Sequence, residues 1–481
     1  MNKKILIFLL LGLIFRIFIS FHTYSGDVTN HMIWGETAVK QGLQGLYATD
    51  FYKLYGHISP NYPPIAIFLF AFLYLVKVWI YQFAWFLNLH LPVFPSKLIF
   101  FLKDFDYYPY LLKLPAILSD IGIAYITYLF AKKIVGKKKS TWPLIATSLV
   151  LFNPAYFYNS AHWGQTDSTP LFFLLTSFYT LIYQKKYLTS VITFTLGLLS
   201  KQTVAIFIPL FLLIYFVISS EARNLAQRNY VSLDFSVASL LRNDRVRIFI
   251  KMILISSFIF WLFFLPFYRN GNLILFPLTT YLNKIILVSG LPFTTNHAFN
   301  FWYLLNGSRT TLASSKFILN ISYEIWGYFI TGIITLITLY VLMSSLRKPR
   351  LTWRKQGSRK ILDSRLHGNN NIQNIFYIGF LIPFTSFIFL TKMHERHLIL
   401  TLPFLLIATY NNKFLLISYL FISLFNFLNA YHNWWSPPFP FLQRLLSSSF
   451  VINSLTLLLI GFFFILFINY FKENFLREKS K

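Results

Sequence analysis

Apolar runs close to the roughly 20 residues that cross a bilayer recur along the whole chain, and nothing else in the sequence constrains its fold so tightly. They fall near 4–21, 110–131, 142–158, 169–184, 187–200, 203–219, 248–267, 323–345, 375–391, 397–410, 413–430 and 449–471. Lipid offers no partner to a backbone N–H or C=O, so such a chain must satisfy its own hydrogen bonds within helices. Composition agrees: 56% of the 481 residues are hydrophobic and only 12% are charged. The expected fold is an all-α polytopic membrane protein with about twelve transmembrane helices.

The formal charge of +28 would suggest nucleic acid for a soluble chain. Here it follows from topology, because basic residues in short loops hold those loops on the inner face. With the N-terminus inside, the basic stretches all fall inside: Lys132 through Lys139, Lys185-Lys186, 220–247, Arg347 through Arg365, and the tail after Lys472. Both termini are therefore expected in the cytoplasm, and no nucleic-acid partner is expected. The Asn2-Lys3-Lys4 start and following apolar run lack a small-x-small cleavage site, so the first helix is read as uncleaved. Residues 65–87 are apolar enough to span, yet counting them would put Lys132 through Lys139 outside. They are read as an interfacial or re-entrant element of a long first outer loop, 22–109. The chain then divides into a membrane catalytic module, 1–345, with outer loops 22–109, 159–168 and 268–322, and C-terminal transmembrane helices, 374–481. The segments 220–247 and 350–371 are polar cytoplasmic insertions. With no cysteine in the chain, disulfides, thiolate metal sites and cysteine nucleophiles are excluded.

Polar residues left on the outer side carry the function. Asp27 and His31 follow the first span, with Trp34 and Glu36 beyond them. Asn61-Tyr62-Pro63-Pro64 opens the apolar loop segment, and Asn153-Pro154 precedes Asn159-Ser160-Ala161-His162-Trp163-Gly164-Gln165-Thr166-Asp167-Ser168. Lys201-Gln202 lies in a tight turn, and Met393-His394-Glu395-Arg396-His397 closes the set. Ionisable groups at a membrane are costly, and their convergence on one face from separate segments points to a site. A carboxylate there can act as general base toward a hydroxyl. Lys201 and Arg396, with His394, suit a phosphate that gains charge as a bond breaks. His162 with Asp167, or His394-Glu395-Arg396-His397, could instead ligate metal. Neither has the spacing of a firm metal motif, so no metal site is expected and a divalent cation is not favoured.

These segments, in this order, resemble the integral-membrane GT-C glycosyltransferases. The closest likeness is to the dolichyl-phosphate-glucose-dependent glucosyltransferases of N-glycan precursor assembly, and bacterial polyprenyl-phosphate-dependent mannosyl- and hexosyltransferases are similar. The resemblance rests on Gly26-Asp27, Asn61-Tyr62-Pro63-Pro64, Leu151-Phe152-Asn153-Pro154, His162 through Ser168, Ser200-Lys201-Gln202 and Lys392 through His397, and covers roughly residues 1–410. It implies a GT-C membrane module, a polyprenyl-phosphate-linked sugar as donor, and inversion at the sugar carbon. Asp27 would be the catalytic base. Lys201, His394 and Arg396 would hold the donor phosphate, and Asp167 with Gln165 would contact sugar or acceptor; Gln202 and Glu395 belong to the same substrate-binding set. Relatives often carry an acidic pair at the catalytic position, whereas Asp27 is followed by Val28-Thr29.

The implied activity is hexose transfer to a hydroxyl of a lipid-linked glycan or glycolipid, at the outer face of a prokaryotic plasma membrane. The alternative from another class is a transporter or flippase of a polyprenyl-linked sugar. That class would place charge near the midplane and in repeated halves, and no internal repeat is seen here.

Overall fold

A computed structural model describes residues 3–226, 244–287, 291–347 and 369–475. Helix dominates, and the one sheet among the described residues is the two-residue parallel pairing of Thr295–Asn296 with Met393–His394. Eight helices are long and apolar enough to cross a membrane. They are Pro64–His90, Tyr108–Val135, Gln202–Ser219, Val246–Phe267, Tyr323–Leu346, Asn371–Phe389, Lys413–Trp434 and Ser449–Lys472. Lipid-compatible surface is plentiful on them: Leu254, Leu336, Ile417 and Phe450 are all more than 60% exposed. The protein is all-α, with the helices of a multi-pass membrane protein.

The other expected crossings take different forms. Lys3–Ser20 is an 18-residue helix carrying Lys3, Lys4 and Arg16, too charged to count among the eight. The expected crossing 142–158 is broken: helix Trp142–Leu151 stops where Asn153-Pro154 interrupts the apolar run. Pro154 has no N–H to continue the ladder. Asn153 caps the next turn, its Oδ1 accepting from the Ala155 N–H at 2.9 Å while its amide donates to the Tyr419 hydroxyl at 2.8 Å. The expected outer loop 159–168 is likewise corrected, because Tyr158–Trp163 forms a buried π-helical stretch. The run 169–184 becomes helix Ser168–Tyr179 with a π-helical continuation, Thr180–Gln184. Tyr187–Ser200 and His397–Ala408 are shorter apolar helices. Most of the two expected polar insertions, 227–243 and 348–368, lies outside the described residues; helices Ile208–Ala226 and Asp244–Phe264 overrun the edges of the first.

Two buried cations tie the helices together at one end of the bundle. Arg16 donates through Nε to Asp120 Oδ2 at 2.9 Å, with both side chains fully buried. Asp120 also accepts from the Ser160 and Ser168 hydroxyls, each at 2.6 Å, and Arg16 reaches the Leu151 carbonyl at 2.6 Å. The pair is satisfied on every side and serves the fold. Lys113 has no carboxylate partner; its ammonium donates to the carbonyls of Ser20 (2.7 Å), Ala161 (2.9 Å), His162 (3.1 Å) and Thr23. It thus clamps the C-terminal end of the first helix to the end of the π-helical stretch, where carbonyls carry the negative pole of each helix.

The 64–90 helix is long enough to cross, yet the chain returns from it to the same end of the bundle. Tyr108 donates to the Phe70 carbonyl at 2.9 Å, Tyr107 to the Lys77 carbonyl at 2.7 Å, and Lys77 to Asp106 at 2.9 Å. Residues 106–108 open the helix that carries Lys113 five positions later. With helix Ser96–Asp104, the 64–90 helix therefore makes an out-and-back excursion.

Candidate active site

Asp27 stands in the first turn of helix Gly26–Lys40, where the unpaired N–H groups favour an anion. Protein surrounds it on most sides, yet 40% of its side-chain surface stays open, as expected for a carboxylate lining a recess. Gln165 donates to Asp27 Oδ2 at 2.5 Å, and Arg396 NH2 lies 3.7 Å from the same oxygen. Burial opposes ionisation of Asp27, but Arg396 and the Gln165 hydrogen bond, the largest opposing causes, hold its carboxyl below the ordinary range.

Behind Asp27 lies a buried ionic cluster. Lys201 donates to Asp167 Oδ1 at 2.5 Å, and Arg396 Nε lies 3.6 Å from Asp167 Oδ2. Arg396 also donates through NH1 to Glu395 at 2.8 Å, and His394 Nδ1 sits 3.8 Å from Glu395 Oε2. Burial would raise the Asp167 carboxyl, yet Lys201, Arg396 and His397 bring it down to about 2. Glu395 is likewise held below the usual range, because Arg396 and His394 outweigh its burial. Two aromatic faces complete the cluster: the Tyr62 ring lies 5.2 Å from Lys201 Nζ, and the Trp163 ring 5.6 Å from Arg396 Cζ. Cations over ring faces are attracted by the ring quadrupole.

Each wall of the recess has a local cause. The left-handed turn at Gly164 (φ 88°) ends the π-helical stretch and swings Gln165 and Asp167 inward. A Cβ there would meet Val28 Cγ2 at 2.5 Å, so only glycine fits. The Thr295–Asn296 and Met393–His394 strands fix the wall that carries Glu395 and Arg396. Asn429 anchors that wall from helix Lys413–Trp434, donating to the His297 carbonyl at 2.7 Å and accepting from the Phe299 N–H at 3.0 Å. His31, one turn after Asp27, stacks on Phe70 at 4.4 Å between centroids; burial pushes it down to about 3, so it is neutral at pH 7.

Of the residues expected from sequence, Asp27, Gln165, Asp167, Lys201, Glu395 and Arg396 meet in this cluster, with His394 at its edge. Gln202 opens the turn after Lys201, its Oε1 buried without a hydrogen-bond partner. Glu36 lies apart and pairs with Lys40 at 2.5 Å. Of the two metal alternatives, His162 and Asp167 do not converge, since His162 Nε2 turns to the Ser436 hydroxyl at 3.2 Å while Asp167 faces Lys201. Among the described residues, no three His, Asp or Glu side chains are grouped to hold a metal ion. Sequence reading missed Lys113, whose partners are all main-chain carbonyls, and Trp434, which stacks on Trp163. Several buried polar atoms around the recess have no hydrogen-bond partner, among them Ser25 Oγ, Gln165 Oε1, Asp167 Oδ2, Glu395 Oε2 and Arg396 Nε. Native interiors seldom leave such atoms without a hydrogen bond, although Asp167 Oδ2 faces Arg396 Nε at 3.6 Å and Glu395 Oε2 faces His394 at 3.8 Å. No protein-family model matches this chain, and no curated protein matches it.

Proposed function

We propose that this chain is an inverting GT-C-type glycosyltransferase that moves a hexose from a polyprenyl-phosphate-sugar donor to a hydroxyl of a lipid-linked glycan or glycolipid. The observation that carries this reading is Asp27: a carboxylate held ionised, open to a recess, and backed by buried cations. Asp27 accepts the proton of the acceptor hydroxyl as that oxygen attacks the sugar's anomeric carbon. The bond from that carbon to the phosphate oxygen breaks, and its electron pair leaves with the lipid phosphate. Lys201 and Arg396, with His394 at the edge, stabilise the charge that grows there. Gln165 Oε1, which accepts no hydrogen bond, fits a hydroxyl of the sugar.

The same reading sets the protein across a prokaryotic plasma membrane, with the recess outside and both termini in the cytoplasm. It is tested by offering purified protein, with and without Asp27→Asn, a panel of polyprenyl-phosphate sugars and hydrophobic acceptors. Transfer should fall about 10²–10⁴-fold in the variant, the usual weight of a general base, while donor binding persists. Absence of transfer from every donor, or full activity in the variant, would sink the proposal and return the transporter reading.

A further inference from the structure

A row of stacked groups leads away from Arg396. Arg396 lies over one face of Trp163, and the Trp434 ring stacks on Trp163 at 5.8 Å and 13°. Trp163 is 2% exposed, whereas Trp434 and its neighbours Trp435 and Ser436 are only partly buried. The Trp163 carbonyl accepts from the Ser25 N–H at 3.2 Å, two residues before Asp27, so the row is built onto the same turn that presents the candidate base. Polar groups edge it: the His162 imidazole holds the Ser436 hydroxyl, and Trp435 ends its helix in the left-handed region (φ 58°). A non-glycine residue in that region is strained and persists where the surroundings demand it.

We infer that Trp434, backed by Trp163, is the platform on which a pyranose ring of the acceptor stacks. An indole face meets the apolar C–H face of a sugar ring, while the polar rim takes its hydroxyls. Arg396 touches both Asp167, the partner of Lys201, and the Trp163 ring, so the platform adjoins the cations assigned to the donor phosphate.

The inference rests on the transfer reaction proposed above, and two assays separate its failure from failure of that reaction. In the first, methyl glucoside and methyl mannoside, which do not partition into lipid, are titrated into protein in nanodiscs and followed by saturation-transfer NMR. Strongest saturation on one ring face is expected, with binding at least 10-fold weaker in Trp434→Leu and near parental in Trp434→Phe. Leucine keeps apolar bulk but loses the π face, and a melting curve on each variant identifies loss of fold. In the second, Trp434→Leu should raise the acceptor KM about 10-fold and leave the donor KM unchanged. Hexoside binding by the parent without transfer from any donor would keep the platform and remove the enzyme. Transfer with an unchanged acceptor KM in Trp434→Leu, or no hexoside binding by the parent, would overturn the platform.

Discussion

Asp27 and Asp167 are two carboxylates held low by shared cations, and they differ in access: one is open to the recess, the other fully enclosed. That difference separates a reacting group from one that holds the cations in place. With its carboxyl below the ordinary value of 3.8, Asp27 stays ionised through the neutral and mildly acidic range. A pH–rate profile of kcat/KM should therefore show no acid limb from Asp27 above about pH 4; a limb with its midpoint at pH 5 or higher that vanishes in Asp27→Asn would exclude this account. Lys201 invites a sharper test. Lys201→Met strips buried Asp167 of its nearest cation, and breaking a buried pair in this way costs about 3–5 kcal/mol. Lys201→Met/Asp167→Asn removes both charges and should recover most of the melting temperature. Donor binding should stay lost, because a phosphate ligand would still be missing. Recovery of both would reduce Lys201 to a structural partner. His31 adds a stability term of definite sign. Its folded value, about 3, lies below the ordinary 6.5, so the unfolded chain binds the extra proton. Stability is then lost as pH falls from about 6.5 toward 3, with Asp167 adding a second loss from 3.8 toward 2. His31→Phe should make the melting-temperature profile shallower between pH 7 and 5, where His162, His297, His397 and His432, likewise lowered by burial, keep part of the slope, and should leave the Asp167 loss in place.

The stretch from Tyr158 to Asp167 shapes the recess more than any other element, and it depends on Gly164. Gly164→Ala would put a methyl group 2.5 Å from Val28 Cγ2, beside Asp27, in a backbone region that disfavours side chains. The strain alone is worth about 1–3 kcal/mol. Gly56→Ala supplies the control, since Gly56 has a similar φ of 70° with nothing within 4 Å. Both variants should lose stability, but only Gly164→Ala should also lose transfer; equal turnover in the two would mean that Val28 does not pass the displacement to Asp27. Sequence made part of this element legible. An acid or cation in apolar surroundings stands out because solvating it is costly, so Asp27, Asp167, Lys201 and Arg396 were readable as a set. Their pairing was not, since the partners are separated by up to hundreds of residues, as with Arg396 and Asp27. Lys113 escaped notice because main-chain carbonyls leave no mark in a sequence. The run 142–158 misled for a related reason: hydropathy sums over Asn153-Pro154, whereas the backbone must stop at Pro154 and be recapped by Asn153.

Among the described residues, the lysine clusters lie at the helix ends away from the recess. The recess gathers the ends of helices Lys3–Ser20, Tyr187–Ser200, Asn369–Phe389 and Lys413–Trp434, and the clusters Lys132-Lys133, Lys137 through Lys139 and Lys185-Lys186 sit at the far ends of helices that begin or finish there. On the topology proposed above, with the recess outside, these clusters fall on the inner face. The 64–90 helix decides whether the count closes. Its length and apolarity would permit a crossing, yet Lys77 is bound to Asp106 and Tyr107, just ahead of Lys113, so the chain is back at the recess end before the next helix starts. Because the sequence contains no cysteine, each introduced thiol is the only one, and sidedness can be read residue by residue. Tyr52→Cys, Lys97→Cys and Lys103→Cys, all at exposed positions, should react with an impermeant maleimide from the outer face of intact cells. Lys138→Cys should react only after the membrane is opened. Labelling of Lys97→Cys and Lys103→Cys with the behaviour of Lys138→Cys would make the 64–90 helix a true crossing. The helix carrying Lys113 would then have to start at the inner face, which its bonds to the Ser20, Ala161 and His162 carbonyls beside Asp27 do not allow unless the recess itself faces inward.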